Sequence, residues 1–229
     1  MRKIFLAPSL LAADPLNISG SINSLENKFD WLHLDIMDGH FVKNLSFGPE
    51  FSKALREKYP DAFIDTHLMI DNLDVILPLF IKDSGSSLIT IHTETEPHLL
   101  HASLNRIKNA GLKAGVAICP PTKISSLDES ILEIADLILI MSVTPGFGGQ
   151  KFIANSLNKA RELVSLRAVH KYNYVIEIDG GIKENNIVDV VLAGCDAVVA
   201  GSAVFMSENP AAWLTKARKD IEEAMKNLE

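Results

Sequence analysis

Eight short apolar runs, rich in β-branched residues, recur along the chain at near-even spacing. No other feature constrains the fold as tightly. They occupy 4–8, 31–36, 62–68, 88–92, 114–118, 137–141, 174–178 and 197–200. Most are almost continuously hydrophobic, as strands buried on both faces must be. Between them lie helix-like stretches at 16–29, 49–58, 72–83, 97–110, 124–134, 153–170, 184–193 and 210–227. Gly85 and Gly111 sit just past such stretches, and Asn72, Glu184 and Asn209 near their starts, where helix stop and start residues belong. Strands alternating with helices imply βαβ units and a parallel sheet. Eight units in 229 residues is about 29 per unit, the size of a compact (β/α)8 TIM barrel.

A doubly wound sheet is the competing α/β architecture. It places a glycine-rich loop after its first strand. Here that strand runs into Pro8-Ser9-Leu10 instead. No linker, low-complexity segment or shift of composition divides the chain, so residues 1–229 read as one barrel domain.

Composition narrows the function. Hydrophobic residues make up 47% and charged residues 22%, enough apolar material for a core without disulfide or metal staples. A formal net charge of -7 argues against a nucleic-acid surface, which needs clustered Lys and Arg. The two cysteines, Cys119 and Cys195, form neither a CxxC nor a framework, so a reducing, cytoplasmic compartment is expected. Arg2 and Lys3 followed by apolar residues imitate a secretory signal. Pro8 and Ser9 break that run and Asp14-Pro15 close it, so it reads better as a buried first strand. No run approaches the ~20 residues of a membrane span.

In such a barrel the chemistry gathers at the carboxyl ends of the strands. Polar residues cluster there, while the strand interiors read as almost purely apolar. Strand two carries His33 and Asp35, spaced i, i+2 and therefore on one face. His67 ends strand three, and Asp179 follows strand seven. Two imidazoles and two carboxylates suit one borderline divalent cation, Zn²⁺, Fe²⁺, Co²⁺ or Mn²⁺. The alternative is four separately hydrogen-bonded polar groups, but buried charges need a partner or an ion.

Three glycine-rich loops follow neighbouring strands: Gly146-Phe147-Gly148-Gly149, Gly180-Gly181 and Gly201-Ser202. The last two stand where barrels commonly hold a phosphate through backbone N–H groups and a short extra helix, here within 203–207. Plain tight turns are the alternative for each. Glycines around Phe147 would also let that loop hinge over a ligand. Met37, Met69 and Met141 share the strand-end level and would form a polarisable wall beside a substrate, although methionine in a barrel is usually core filler. His40 and His92 either line the same mouth or are structural; His98, His101 and His170 fall on solvated helical stretches.

These residues resemble the ribulose-phosphate 3-epimerase family along the whole chain. The resemblance lies in 7–14 (APSLLAAD), 32–42 (LHLDIMDGHFV), 44–49 (NLSFGP), 67–69 (HLM), 145–150 (PGFGGQ), 179–181 (DGG) and 200–203 (AGSA). The second and fourth of these stretches are highly specific. Lys43 stands where the family usually has proline and Cys119 where asparagine is common, and Thr144 occupies a variable position.

The resemblance implies a (β/α)8 barrel interconverting D-ribulose 5-phosphate and D-xylulose 5-phosphate. It implies one divalent metal on His33, Asp35, His67 and Asp179, and acid–base roles for Asp35 and Asp179. Ser9 and His67 would touch substrate, and the glycine loops would hold it, mainly by its phosphate. Proton transfer at C3, beside the C2 carbonyl, would pass through an enediolate, with one acid–base group on each face. Members of this family are often oligomeric, but no interface stripe is legible here. The rival readings are a related ketose-phosphate epimerase, such as one for allulose 6-phosphate, and a non-catalytic sugar-phosphate binding barrel. An aldolase or decarboxylase would need a lysine at a strand end, which is missing.

Overall fold

The computed structural model describes residues 2–227. Positions 1, 228 and 229, the extremes of the expected 1–229 domain, lie outside the described residues. Eight parallel strands form one sheet: β1 Phe5–Pro8, β2 Trp31–Met37, β3 Phe63–Met69, β4 Leu88–His92, β5 Lys113–Ile118, β6 Leu137–Met141, β7 Val175–Asp179 and β8 Ala197–Ala200. From β2 to β8 each strand pairs with its sequence neighbour, and β1 pairs with β8. The β1–β2 seam is joined by a parallel Ser9–His33 bridge and by the Asp30 N–H donating to the Leu6 carbonyl. The expected TIM barrel is therefore the observed fold, with strand bounds within about a residue of those read from hydrophobicity.

The helices are α1 Ile18–Asn23, α2 Pro49–Lys58, α3 Leu73–Asp83, α4 Leu100–Asn109, α5 Glu129–Ile134, α6 Ser156–His170, α7 Ile187–Leu192, α8 Ser202–Phe205 and α9 Pro210–Lys226. Three expected helices are clearly shorter than their polarity pattern, that at 184–193 spanning only Ile187–Leu192. The 16–29 stretch is helical only at its start, because Glu26 and Asn27 adopt left-handed backbone angles that end it. The 124–134 stretch breaks at an extended Leu127, and Asp128 starts α5 afresh by accepting the Ile131 N–H.

Alternation along each strand creates two cores. Outward side chains such as Leu32, Leu34, Ile138 and Ile140 pack beneath the helices. Inward ones, among them Ala7, Ala117, Leu139 and Val199, fill the barrel. Its amino-terminal end is stopped by stacked Phe5, Trp31 and Phe63, with centroids 4.5 and 4.8 Å apart. Being blocked there, the barrel can open only at the carboxyl ends of its strands.

The closed end is tied by aspartates that stand just before strands. Asp30, Asp136 and Asp196 each accept a backbone N–H near the start of an adjacent strand, from Leu6, Ala114 and Ile176. Buried Asp196 also holds Arg2 at 2.7 Å and Arg167 at 2.5 Å. Asp196→Ala is expected to cost about 2–3 kcal/mol, since it strands charge-assisted donors. A thermal melt should show Tm lower by roughly 5–10 °C for a chain of this size. Turnover should be unchanged at permissive temperature, because Asp196 lies at the end away from the glycine loops.

Candidate active site

The open end is a cleft lined by Ser9, Asp35, Met37, Met69, Met141, Gly146, Phe147, Gly148, Gly149, Asp179, Gly180, Gly181, Gly201 and Ser202. Every residue to which the sequence gave a catalytic, metal or substrate role is therefore on its wall, except His33 and His67. Those two imidazoles are completely buried just beneath its floor. Strand register explains the convergence: His33 pairs with Asp65 and Asp35 with His67 across β2–β3, while Met141 pairs with Asp179 across β6–β7. Met37 and Met69 are register partners and are both buried.

Asp35 is the hub. Its Oδ2 accepts the Ser9 hydroxyl at 2.6 Å. Its Oδ1 lies 3.3 Å from His33 Nε2 and 3.2 Å from His67 Nδ1. One donor atom each from His33, Asp35, His67 and Asp179 falls within 4.8 Å of the others. His33 Nδ1 donates to Asp65 at 2.6 Å, which turns the opposite nitrogen, buried and without a hydrogen-bond partner, toward Asp35. An imidazole oriented by a carboxylate behind it, with its free nitrogen aimed at other ligand atoms, fits a divalent cation of the Zn²⁺, Fe²⁺, Co²⁺ or Mn²⁺ kind. His67 contacts His92 behind the cluster, Nε2 to Nε2, at 2.8 Å.

The electrostatics separate the two carboxylates. Burial alone would raise Asp35, but the charge of His33 beside it holds it well below the usual carboxylate range. Asp179 has the opposite balance: burial and then the charge of Asp35 push it up to about 7. Burial would lower His33, yet Asp65 and Asp35 raise it well above the ordinary histidine value. His67 goes down, chiefly through burial. One aspartate is thus an anion, while the other can hold a proton near neutrality.

The glycine loops are shaped by their backbone. Gly181 has φ +67, and a Cβ there would lie 2.6 Å from Phe152 N and 2.9 Å from Gln150 O. Only glycine lets the β7–α7 and β6–α6 loops touch. Gln150 donates to the Thr144 and Phe147 carbonyls, and Asn44 donates to the Gly146 carbonyl. The Phe147 ring stands exposed above the cleft.

Several functional neighbours escaped the reading of the sequence. The barrel interior is not purely apolar: Asp65 and Glu177 are wholly buried beneath His33. Both stand two residues before a site residue, on the same inward face as His67 and Asp179. The i, i+2 argument applied to His33 and Asp35 would have found them. Glu94, beside His92, and Lys183, on the cleft wall, gave no comparable signal. His40 is exposed and outside the cleft lining, whereas His92 is buried against the cluster. His98, His101 and His170 are exposed, as expected.

A closed parallel barrel that collects its acid–base side chains at one rim falls within the (β/α)8 enzyme class. Solved structures share the fold at low identity. KGPDC from Streptococcus mutans superposes with a TM-score of 0.73 at 14% identity, covering 97% of this chain and 99% of that one. For 3-hexulose-6-phosphate synthase from Salmonella typhimurium the TM-score is 0.70 at 18% identity, covering 96% and 100%. Sequence is more discriminating. The family model described as "Ribulose-phosphate 3 epimerase family" matches residues 5–205. The ribulose-phosphate 3-epimerase of Buchnera aphidicola subsp. Acyrthosiphon pisum is 42% identical over 98% of this chain and 97% of its own length. That of Aquifex aeolicus is 46% identical over 87% and 89%, and that of Escherichia coli K12 42% over 90% of each. The chain belongs to the ribulose-phosphate 3-epimerase family.

Proposed function

We propose that this chain inverts C3 of a ketose phosphate, converting D-ribulose 5-phosphate to D-xylulose 5-phosphate, with Asp35 and Asp179 as the two proton-transfer groups. One observation carries the reading. Two carboxylates from separate strands, β2 and β7, reach one cleft with opposite proton affinities. Inversion needs a base on one face of the carbon and an acid on the other. An ionised Asp35 can take a proton at C3 while a protonated Asp179 delivers one to the far face; the reverse reaction exchanges the roles. Efficient transfer requires a donor near the operating pH, which is where Asp179 lies.

His33, Asp35, His67 and Asp179 would hold one divalent cation. Bound there, it would supply Lewis acidity that favours ionisation at the carbon next to a carbonyl. Ser9 would orient Asp35 and meet the substrate hydroxyls, and His67 would contact the sugar. Met37, Met69 and Met141 would keep bulk water from the planar intermediate. The loops at Gly146–Gly149, Gly180-Gly181 and Gly201-Ser202 would cradle the phosphate with backbone N–H groups. Residues 1–229 act as one catalytic domain in this reading. None of the described helices is long and apolar enough to cross a membrane. A cytoplasmic site of action fits the two free thiols.

The test is metal analysis of the purified protein joined to an epimerase assay before and after chelation. Activity lost on chelation and restored by one of the four cations is expected. Faster turnover of allulose 6-phosphate would overturn the substrate, and binding without epimerisation would overturn the activity.

Metal uptake should also be linked to protons. A cation must displace the proton of His33, raised above its ordinary value, while Asp179 can bind through one oxygen and keep its proton on the other. Affinity should therefore climb with pH through the neutral range, by up to roughly tenfold per unit while that proton is released. Isothermal titration in buffers of differing ionisation enthalpy reads the protons directly. A pH-independent affinity across that window would contradict the assignment.

A further inference from the structure

We propose that Glu94, acting through His92, is a positioning residue that forces His67 to present its Nδ1 lone pair to the Asp35 cluster. The use made of that lone pair rests on the metal reading above; its placement does not.

The chain of donors runs in one direction. Glu94 Oε1 accepts the Cys119 N–H at 2.6 Å and also the Thr122 hydroxyl. Its other oxygen, Oε2, lies 3.0 Å from His92 Nδ1. A carboxylate taking two donors on one oxygen is an acceptor throughout, so His92 Nδ1 carries the hydrogen. A neutral imidazole has one N–H, which leaves His92 Nε2 bare. That nitrogen sits 2.8 Å from His67 Nε2, and two ring nitrogens at this distance must share a hydrogen. His92 has none to offer there, so His67 Nε2–H donates. His67 Nδ1 is consequently bare, 3.2 Å from Asp35 Oδ1.

His33 arrives at the same oxygen by the opposite nitrogen. Its Nδ1–H is committed to Asp65, and its Nε2 stands 3.3 Å from Asp35 Oδ1. Two imidazoles thus face one carboxylate oxygen with unlike nitrogens, each set from behind. Three acceptors in a buried space repel one another unless a proton or a metal cation lies among them.

The relay is held rigidly. His92 is almost fully buried, with the Phe41 ring 4.6 Å away centroid to centroid. Lys159 on α6 donates to the Cys119 and Pro120 carbonyls, which pins the loop supplying both of the other donors to Glu94. The Cys119 thiol, 3.6 Å from His92 Nδ1, is the other polar group facing that nitrogen, and the carboxylate is nearer and charged. Without an acceptor at His67 Nε2, the hydrogen would move to Nδ1, where Asp35 attracts it. The ring would then offer a donor where the cluster needs a lone pair.

Nitrogen-15 NMR of the metal-free protein in mildly alkaline buffer reads the tautomers directly. The wild type should show Nε2–H on His67 and Nδ1–H on His92. In His92→Leu, His67 should switch to Nδ1–H, and Co²⁺ affinity, followed by its visible spectrum, should weaken by about 10–100-fold. His92→Gln offers an amide oxygen at the same place and should restore the Nε2–H tautomer and most of the affinity. A loss of packing alone would not move the proton between ring nitrogens. A wild-type His67 carrying Nδ1–H overturns the relay, as does a His92→Leu protein with unchanged tautomer and affinity. So does a His92→Gln protein no better than His92→Leu. The expected tautomers in a protein that takes up no Co²⁺ would leave the relay standing and overturn the metal reading instead.

Discussion

Asp179→Asn should lower kcat by about 10²–10⁴-fold, the usual share of one positioned acid–base group, while leaving the fold intact. The amide is nearly isosteric with a protonated carboxyl, the state that burial and Asp35 already favour up to about pH 7. The sign for stability follows from the same shift. A carboxyl whose folded pKa lies above its unfolded value destabilises the fold as pH rises through that pKa. The variant should therefore match the wild type below about pH 4, gain relative stability as pH rises from there to about 7, and keep that lead above. Turnover of the wild type in D₂O should place deuterium at C3, because the proton removed and the proton returned belong to different groups. The variant should lose that label in step with kcat. Near-normal rates in Asp179→Asn, or wild-type turnover without label, would remove Asp179 from the reaction. Asp35→Asn should be equally inactive but also less stable, since it replaces a charge that two imidazoles and the Ser9 hydroxyl surround.

The second large effect is expected at Gly181. Alanine there must adopt φ +67, which costs a residue with a Cβ about 1–2 kcal/mol. Its methyl would also press on the backbone of Phe152 and on the Gln150 carbonyl, neither of which can rotate away. Relief requires the β6–α6 and β7–α7 loops to part, and those loops carry Gly146–Gly149 and Gly180-Gly181. Gly181→Ala should therefore lose several degrees of Tm and raise KM for the sugar phosphate more than it lowers kcat. An unchanged KM would mean that the loops do not jointly hold the phosphate. Gly111→Ala is the matched control, because its φ is similarly left-handed at +81, a Cβ there meets nothing within 4 Å, and it precedes β5 away from the cleft.

The barrel was legible because its strands are buried on both faces. Eight nearly continuous apolar runs admit few other arrangements, and the runs coincide with the strands to about a residue. Helix ends were less legible. The left-handed angles of Glu26 and Asn27 answer to how α1 meets β2, which no local pattern records. The rim residues were legible from polarity at strand ends, since side chains two apart on a strand must share a face. The floor beneath them was missed although the same spacing applies, because Asp65 and Glu177 sit inside runs whose average is apolar.

By itself, then, the sequence determined which elements form, their order, and which acids and imidazoles point inward. Periodicity and burial act along a single strand and can be read there. The tertiary structure alone decided that His33, Asp35, His67 and Asp179 come within 4.8 Å of one another. It alone decided which ring nitrogen each histidine turns to Asp35, and that Asp35 is held down in pKa while Asp179 is pushed up. Those properties depend on inter-strand register and on the charge and burial around each group. They arise only when residues as distant as 35 and 179 share a few ångströms of low-dielectric space.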